Sequence, residues 1–263
     1  MAVEPVLDPA DPRLAPYVRL TDMQLRMARE PVDGIFIAEG EKVIRRALSA
    51  GLHLNSALME PKWLAGLQEA LPRDAHVYLA EPELLRGVTG YRVHRGALAV
   101  FRRPSPRDPA ALMGAASTAL LLEDLVDHAN VGAIFRSAAA LGVDAVLVTR
   151  RCADPWYRRS VKTSMGAVFV VPWATVPDAV TGVDLARDAG MTTVALDPSS
   201  ARALRDWERS GPALMLLGSE GPGLSPAARS CADTTLAIPM HNGVDSLNVA
   251  NAATLACYVL TSS

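Results

Sequence analysis

The chain has 263 residues, of which half are hydrophobic and 21% are charged, and its formal net charge is −2. This length and composition are typical of one or two globular domains that bury a substantial core without metals or disulfides. We find no apolar run near the roughly 18 residues that cross a bilayer, and residues 1–5 lack the features of a secretory signal. The cysteines at positions 152, 231 and 257 form no CxxC pair, which excludes a disulfide framework and favours a reducing cytosol.

A proline-rich segment divides the chain. Three prolines within residues 104–109 disfavour both helix and strand pairing, so this segment is predicted to be an extended linker between residues 1–104 and residues 105–263. The first part is predicted to be a small α/β domain. Its predicted helices are residues 14–27 and 40–48, and its predicted strands are residues 34–38, 76–79 and 97–100.

After the linker, short and nearly continuous apolar runs alternate with helical patterns. Such strands predict a parallel sheet covered on both faces, and ligands of these sheets bind at the carboxyl ends of the strands. The predicted strands are residues 119–122, 145–148, 167–171, 192–196, 213–217 and 235–238, and the predicted helices are residues 131–141, 183–189 and 247–260.

Two segments that follow strands contain polar residues of interest. In residues 123–136, Asn130 is placed to cap the next helix and Arg136 lies one and a half turns into it, although a capped helix with an exposed arginine explains the pattern equally well. Residues 217–225 contain three glycines around Glu220. Their GxxGxG spacing is neither a dinucleotide fingerprint nor a P-loop, and the carboxylate suits a ligand with hydroxyls or positive charge better than a pyrophosphate.

A third segment, residues 238–252, joins a short strand to the last helix. Ser246 is a plausible N-cap, and Asn248 and Asn251 then fall on an otherwise apolar helix start. Buried amides need partners, so these residues hold a loop, read a ligand or simply cap the helix.

Basic residues cluster in residues 150–162 and again in residues 86–107. The first stretch combines five basic residues with Trp156 and Tyr157, and because arginines pair with phosphates and aromatic rings stack on bases, it is a candidate RNA-facing strip. A solvated surface is the alternative for both stretches. The five histidines are scattered without metal-ligand spacing, and no GxSxG nucleophile motif occurs, so a metal site is not expected.

These segments together resemble the SpoU (TrmH-like) branch of the SPOUT RNA methyltransferases. Residues 130–138 (NVGAIFRSA) look like the first family motif, and residues 217–221 (LGSEG) look like the second. The third motif is matched by residues 238–240 (IPM) together with residues 246–249 (SLNV). Three ordered motifs at suitable spacing are far more specific than any one of them.

The N-terminal part adds to the resemblance. Residues 36–40 (FIAEG) and 94–97 (HRGA) are similar to the L30e/L7Ae-like substrate-binding domain that precedes many members. Departures are small: His128 stands where many members have proline, Asn242 where glycine is usual, and Ala250 where serine is common. Asparagine also tolerates positive φ, so none of these changes removes a proposed catalytic group.

The resemblance implies both fold and activity. The fold would be a C-terminal α/β domain with a mainly parallel sheet and a deep trefoil knot, preceded by a smaller α/β L30e-like domain. The activity would be methyl transfer from S-adenosylmethionine to a ribose 2′-hydroxyl of structured RNA, with ribosomal RNA first and transfer RNA second. The enzyme would be a cytoplasmic homodimer with active sites at the dimer interface, without a metal or a membrane anchor.

Carried over residue by residue, the resemblance implies three groups of site residues. The catalytic group contains Arg136, Asn130, Glu220, Ser246 and Asn248. The residues expected to bind the cofactor, largely through backbone groups, are Leu196, Gly218, Ile238 and Leu247. The basic residues expected to bind RNA are Arg92, Arg95, Arg150, Arg151, Arg158, Arg159 and Lys162.

The role of Arg136 has two interpretations. Free arginine is a very poor base because its guanidinium keeps its proton at physiological pH. Arg136 therefore either is perturbed enough to accept a proton or clamps a phosphate and stabilises developing alkoxide charge. Two other functions remain open. One is a catalytically silent RNA-binding or ribosome-assembly protein, and the other is a nucleotide-dependent oxidoreductase, which the lack of GxGxxG disfavours.

Overall fold

In the computed structural model, which describes residues 1–93 and 96–262, eleven strands and ten helices are present. The strands are β1 (Ala2–Pro5), β2 (Ile35–Glu39), β3 (Leu54–Met59), β4 (His76–Leu79), β5 (Ala97–Arg102), β6 (Thr118–Leu122), β7 (Ala145–Thr149), β8 (Trp173–Val176), β9 (Thr192–Leu196), β10 (Ala213–Leu217) and β11 (Thr234–Leu236). The helices are α1 (Met23–Val32), α2 (Glu41–Ser49), α3 (Pro61–Leu67), α4 (Pro82–Thr89), α5 (Pro109–Ala115), α6 (His128–Leu141), α7 (Arg158–Thr163), α8 (Ala179–Asp188), α9 (Pro226–Cys231) and α10 (Val249–Thr261).

The chain divides into two compact units. The first contains Met1–Pro104 and Trp156–Gly166, and the second contains Ser105–Pro155 and the chain from Ala167 onwards. Sequence analysis placed residues 156–166 with the second domain, but in the structure they pack with the first. The ring centroids of Trp156 and Phe36 lie 5.0 Å apart, and this contact is one reason why residues 156–166 belong to the first unit.

The first unit is built on a five-stranded mixed sheet. Its strand order is β1-β4-β3-β5-β2, with β4 parallel to both β1 and β3 and with β5 antiparallel to both β3 and β2. One face packs a core that includes Leu14, Tyr17 and Leu85. The predicted helix over residues 14–27 is wrong. A 3-10 turn with an internal proline occupies Pro12–Tyr17, and α1 begins only after Asp22, whose carboxylate caps it.

The second unit is built on a six-stranded sheet, as the sequence predicts. Its order is β11-β9-β10-β6-β7-β8 and all five strand pairs are parallel. The strands β6, β7 and β10 are buried at every position, because helices cover both faces of the sheet.

One predicted strand of this sheet is wrong. Residues 167–171 form a 3-10 turn at Ala167–Phe169, and the eighth strand begins after Pro172, at Trp173. Ala167, Val168 and Val171 are buried without forming a strand, whereas Val170 is 65% exposed, and an apolar run alone does not distinguish a strand from a turn. Within residues 1–93 and 96–262, none of the helices has both the length and the apolarity that crossing a bilayer requires.

Candidate active site

A pocket of about 400 Å³ lies at the carboxyl edge of the parallel sheet in the second unit. Three segments form most of it, and each begins where a strand ends: residues 196–198 after β9, residues 217–223 after β10, and residues 236–240 after β11. The start of α10 and the loop before it complete the wall. This is the location at which ligands of doubly wound sheets bind, and the volume is in the range of small-molecule sites.

The four residues expected to bind a cofactor all line this pocket. Leu196, Gly218, Ile238 and Leu247 come from four different loops, and the sheet topology brings them together. The pocket wall also contains two carboxylates, Asp197 and Asp245, that sequence analysis did not select. The strand-end rule applied to β9 would have found Asp197, which directly follows Leu196.

Gly218 is held against the backbone of its own loop. A Cβ atom built at this position would lie 2.1 Å from the amide nitrogen of Leu224 and 2.2 Å from the carbonyl carbon of Gly223. No side chain fits there without displacing main chain, so residues 218–224 form a tight loop whose backbone faces the pocket. Such a loop suits a ligand recognised through main-chain groups.

Three polar side chains from three distant segments meet beside the pocket. The carboxylate atom Oε1 of Glu220 accepts hydrogen bonds from Nδ2 of Asn130 at 2.6 Å and from Nδ2 of Asn248 at 2.9 Å. The same amide nitrogen of Asn248 lies 3.2 Å from Oδ1 of Asn130. The structure therefore brings polar residues of the three motifs into one cluster, the amide–carboxylate cluster, in which Glu220 and Asn248 are exposed and Asn130 is half-buried.

The helix caps differ from those that the sequence suggested. Asp127, not Asn130, caps α6 by accepting from the amide of Ala129 at 2.7 Å. Asn248, not Ser246, caps α10 by accepting from the amide of Ala250 at 2.9 Å. Asn130 is thereby free of capping and directs its amide to Glu220, while Ser246 lies in the pocket wall.

Arg136 is exposed on α6 and does not line the pocket of its own chain. Six helical residues separate it from Asn130, which corresponds to a rotation of about 240° and a rise of about 9 Å, so the two side chains leave different faces of the helix. Arg136 has no hydrogen-bond or ion-pair partner among the residues that the structure describes.

A buried carboxylate fixes the glycine loop from behind. Glu123, which directly follows β6, accepts from the amide of Ser225 at 2.8 Å and from its hydroxyl at 2.7 Å. Ser225 in turn caps α9 through the amide of Ala228. The loop that carries Glu220 is thus anchored at its far end to the neighbouring strand.

The two pocket carboxylates that sequence analysis did not select differ in their hydrogen-bond and ion-pair partners. Asp197 is paired with Arg229 at 3.2 Å and accepts from the amide and hydroxyl of Ser199. Partial burial acts to raise the pKa of Asp197, but these hydrogen bonds and the Arg229 charge hold it below its usual range. Asp245 is exposed and has no hydrogen-bond or ion-pair partner among the described residues, so it is available to a ligand.

The basic residues expected to bind RNA are found in different environments. In the second unit Arg150 is exposed, and Arg151, whose side chain is 81% exposed, lies 3.0 Å from Asp124. In the first unit Arg92 and Arg159 are exposed. The prediction for Arg95 lies outside the described residues.

Arg158 and Lys162 serve the first unit instead. Nη1 of Arg158 and Nζ of Lys162 each lie 2.8 Å from the carboxylate of Glu39, and the hydroxyl of Tyr91 donates to the same carboxylate at 3.0 Å. The side chain of Glu39 is fully buried. Burial acts to raise the pKa of Glu39, but Lys162, Arg158 and Tyr91 together hold it below its usual range. This group, the Glu39 junction, ties α7 to β2.

Comparison with known proteins places these features in a family. The model of the SpoU rRNA methylase family matches residues 117–258. The chain is 38% identical to an uncharacterised tRNA/rRNA methyltransferase of Mycobacterium bovis, over 99% of this chain and 92% of that protein. It is also 38% identical to the 23S rRNA (uridine(2479)-2′-O)-methyltransferase of Streptomyces viridochromogenes, over 49% of this chain and 47% of that protein.

A solved structure extends the similarity over both units. The SpoU methyltransferase AviRb from Streptomyces viridochromogenes, in complex with the cofactor AdoMet, is 27% identical to this chain. The match covers 96% of this chain and 97% of that one, with a TM-score of 0.80. The family match spans the parallel sheet, the pocket and all three members of the amide–carboxylate cluster, and the chain therefore belongs to the SpoU rRNA methylase family of RNA methyltransferases.

Proposed function

We propose that the chain transfers a methyl group from S-adenosylmethionine to a ribose 2′-hydroxyl of structured RNA. Ribosomal RNA is the first candidate substrate and transfer RNA the second, since one relative is named as a 23S rRNA 2′-O-methyltransferase. The observation that carries the proposal is the pocket at the strand ends with the amide–carboxylate cluster beside it. The polar residues of all three motifs meet there.

The residues of the pocket fit the cofactor. Gly218 presents backbone where a side chain has no room, and Ile238 and Leu247 provide apolar surface for an adenine ring. The carboxylates of Asp197 and Asp245 suit a ligand that carries ribose hydroxyls and a positive charge. When bound, the cofactor supplies a methyl group on a positively charged sulfur.

We infer that Arg136 acts on the pocket of a partner chain. It does not line its own pocket, yet it neighbours Ser137, whose hydroxyl lies 2.7 Å from that of Thr254 on α10. Leu255 and Tyr258, which follow Thr254 on α10, are exposed to 42% and 61% of their accessible surface. Apolar side chains at such exposure favour a protein interface, so a homodimer formed on the α6 and α10 faces would carry Arg136 to its partner.

The chemistry assigned to these residues is alignment and charge stabilisation. The 2′-oxygen must approach the methyl carbon in line with the carbon–sulfur bond, which breaks as S-adenosylhomocysteine leaves. The 2′-hydroxyl must also lose its proton. The Arg136 guanidinium would hold the adjacent phosphate and stabilise the charge that develops on the 2′-oxygen, or accept its proton. Glu220, Asn130 and Asn248 would order the loops, and Ser246 would contact the ribose.

Further parts of the proposal rest on the resemblance. The second unit would be a SPOUT methyltransferase domain whose loops after β9, β10 and β11 form a deep trefoil knot. The first unit would be an L30e-like domain that grips RNA, with Arg92, Arg95 and Arg159 as phosphate contacts. Arg150 and Arg151 would add contacts from the second unit, while Arg158 and Lys162 hold the Glu39 junction. The enzyme would act in the cytoplasm.

The test is transfer of a radiolabelled methyl group from S-adenosylmethionine to RNA. Total RNA from a host that lacks the gene is incubated with the full-length protein, digested to nucleosides and separated by chromatography. The proposal predicts label in a 2′-O-methylnucleoside, and alkaline hydrolysis of the undigested RNA should leave the phosphodiester that follows the labelled nucleotide uncleaved. Label in a base-methylated nucleoside would contradict it, and absence of label under all salt and magnesium conditions would support the silent RNA-binding protein.

The pocket assignment has its own test. Gly218→Ala inserts a Cβ into backbone of the same loop, so affinity for S-adenosylhomocysteine measured by calorimetry should fall at least about 10-fold. Gly211→Ala, where a Cβ meets no atom within 4 Å, is the matched control and should bind normally. Equal affinities of the two variants would contradict the assignment.

A further inference from the structure

A second cavity lies at one end of the mixed sheet in the first unit. Its volume is about 710 Å³, and its polar lining residues are His53, Asn55, Asp74, His76 and Arg102. The strands β4, β3 and β5 are neighbours in the sheet, and β5 runs antiparallel to β3. The beginnings of β3 and β4 and the end of β5 therefore share one edge. We call this cavity the sheet-end cleft.

The register of the strands explains why these side chains gather there. The amide of Arg102 donates to the carbonyl oxygen of His53 at 2.9 Å, which fixes the two residues side by side. His76 is the first residue of β4, which pairs with β3 on the side opposite to β5. The sheet thus presents one guanidinium and two imidazoles around a single concave surface.

None of these polar side chains is used within the unit. All five are exposed, and none has a hydrogen-bond or ion-pair partner in residues 1–93 and 96–262. Three other surface arginines of the unit do have carboxylate partners: Arg19 binds Asp22, Arg29 binds Asp33 and Arg45 binds Glu41. An unpaired guanidinium beside two imidazoles in a cavity is an arrangement available to an anion.

The composition of the cleft selects the type of anion. A guanidinium binds phosphate oxygens through two parallel N–H groups, and imidazole N–H groups add further donors. Asp74 contributes one carboxylate acceptor, which a ribose 2′-hydroxyl can satisfy beside the phosphate. No group of three His, Cys, Asp or Glu residues in the described part of the chain is placed to hold a metal ion, which disfavours a metal site built on the two histidines.

We propose that the sheet-end cleft binds a phosphodiester of the RNA substrate. The inference rests on the proposed function for the identity of the ligand, and it adds a contact in a different unit from the methyl-transfer pocket. Arg102 holds the phosphate, His53 and His76 donate to its free oxygens, and Asp74 accepts from the neighbouring 2′-hydroxyl.

The test measures RNA affinity of the full-length protein. The probe is a fluorescein-labelled RNA hairpin with single-stranded flanks, titrated by fluorescence anisotropy at several salt concentrations. For Arg102→Gln the dissociation constant should rise about 5- to 10-fold, and the slope of log affinity against log salt should fall by about 1. Arg29→Gln removes the same charge from an arginine already paired with Asp33, and its affinity should change less than about 2-fold.

Two further arms separate the sources of phosphate and keep the test independent of catalysis. The double variant His53→Gln/His76→Gln should raise the dissociation constant of the RNA probe as Arg102→Gln does. All variants should retain the wild-type unfolding midpoint. If Arg102→Gln weakens binding of millimolar inorganic phosphate but leaves the affinity for the RNA probe unchanged, the cleft is a free-phosphate site and the proposal is wrong. Equal effects of Arg102→Gln and Arg29→Gln would also overturn it. Because binding is measured directly, failure of methyl transfer by the wild-type protein would contradict the proposed function without deciding this inference.

Discussion

Each unit contains a carboxylate that gathers side chains from distant parts of the chain, but the two carboxylates have different surroundings. Glu39 is fully buried and binds two cations and a phenol, whereas Glu220 is exposed and binds two neutral amides. A buried charge must be fully compensated, so the Glu39 junction has fixed partners and contributes to folding. An exposed carboxylate has little desolvation penalty to offset, so Glu220 can exchange its amide partners for a ligand when one enters.

The difference distinguishes basic residues that sequence analysis expected to act on RNA. Arg158 and Lys162 lie in the basic stretch expected to face RNA, yet their charged groups are bound to Glu39. Arg136, in contrast, has no partner among the described residues although it belongs to a well-defined helix. Cations that are paired inside their own unit stabilise it, and cations without partners are those available to substrate.

The largest effect is expected at Arg136. Arg136→Ala should lower methyl transfer about 100- to 1000-fold, because the variant loses the group proposed to stabilise charge on the reacting oxygen. Affinity for S-adenosylhomocysteine should stay within about 2-fold of wild type, since all residues that line the pocket are unchanged and Arg136 is proposed to act on the RNA. Single-turnover rates and calorimetry measure the two quantities, and a normal turnover would remove Arg136 from the mechanism.

The next effect concerns the buried carboxylate. Glu39→Gln leaves Arg158 and Lys162 without a counter-charge and should lower the free energy of unfolding by about 3 kcal/mol, near the low end for broken buried pairs because Lys162 is half exposed. Its matched control is Glu41→Gln, whose exposed pair with Arg45 should contribute no more than about 0.5 kcal/mol. Denaturant unfolding of both variants checks the values, and similar losses would show that burial is not what distinguishes Glu39.

Glu220 should show the opposite behaviour. Glu220→Gln removes the charge from the amide–carboxylate cluster, so methyl transfer should fall about 10-fold as the charge-assisted hydrogen bonds weaken. The free energy of unfolding should change by less than about 0.5 kcal/mol because the site is exposed. The comparison between the units would fail if Glu220→Gln destabilised the protein as much as Glu39→Gln does.

The smallest effect is expected in the pH dependence of stability. The pKa of Glu39 is lower in the folded protein than its ordinary value, so this group contributes stability above the ordinary pKa of about 4.3 and loses it as the pH falls through the folded value. The difference in unfolding free energy between wild type and Glu39→Gln should therefore be constant near neutral pH and shrink below about pH 4. A difference that grew on acidification would contradict the direction of the shift.

The sequence predicts the parallel sheet well for a physical reason. Buried central strands such as β6, β7 and β10 are continuous apolar runs between loop residues, and their predicted bounds lie within one residue of the structure. The same signal fails at residues 167–171, where an apolar run begins with a 3-10 turn and only part of it is buried. The strand β3 was missed because Asn55 and Ser56 interrupt its apolar pattern.

The sequence predicted which residues form the candidate site better than it predicted their hydrogen bonds. The strand-end rule and the motif resemblance together select Gly218, Glu220 and Asn248, which do meet at one pocket. Neither source indicates that Asp127 and Asn248 take the capping positions, since several adjacent residues in each loop are suitable caps. The pairing of Arg158 and Lys162 with Glu39 spans more than a hundred residues, and no local pattern encodes such a contact.

The proposal that Arg136 acts on the pocket of a partner chain is tested most directly by mixing two impaired variants. Arg136→Ala keeps its pocket but lacks the guanidinium, and Gly218→Ala keeps the guanidinium but adds a Cβ that must displace the backbone of the pocket loop. When the two are co-expressed and the mixed dimer is purified through separate tags, one of its two sites combines an intact pocket with an intact Arg136. The account predicts that this mixed dimer recovers about half of the wild-type methyl-transfer rate to RNA, whereas a mixed dimer as inactive as either parent would contradict it.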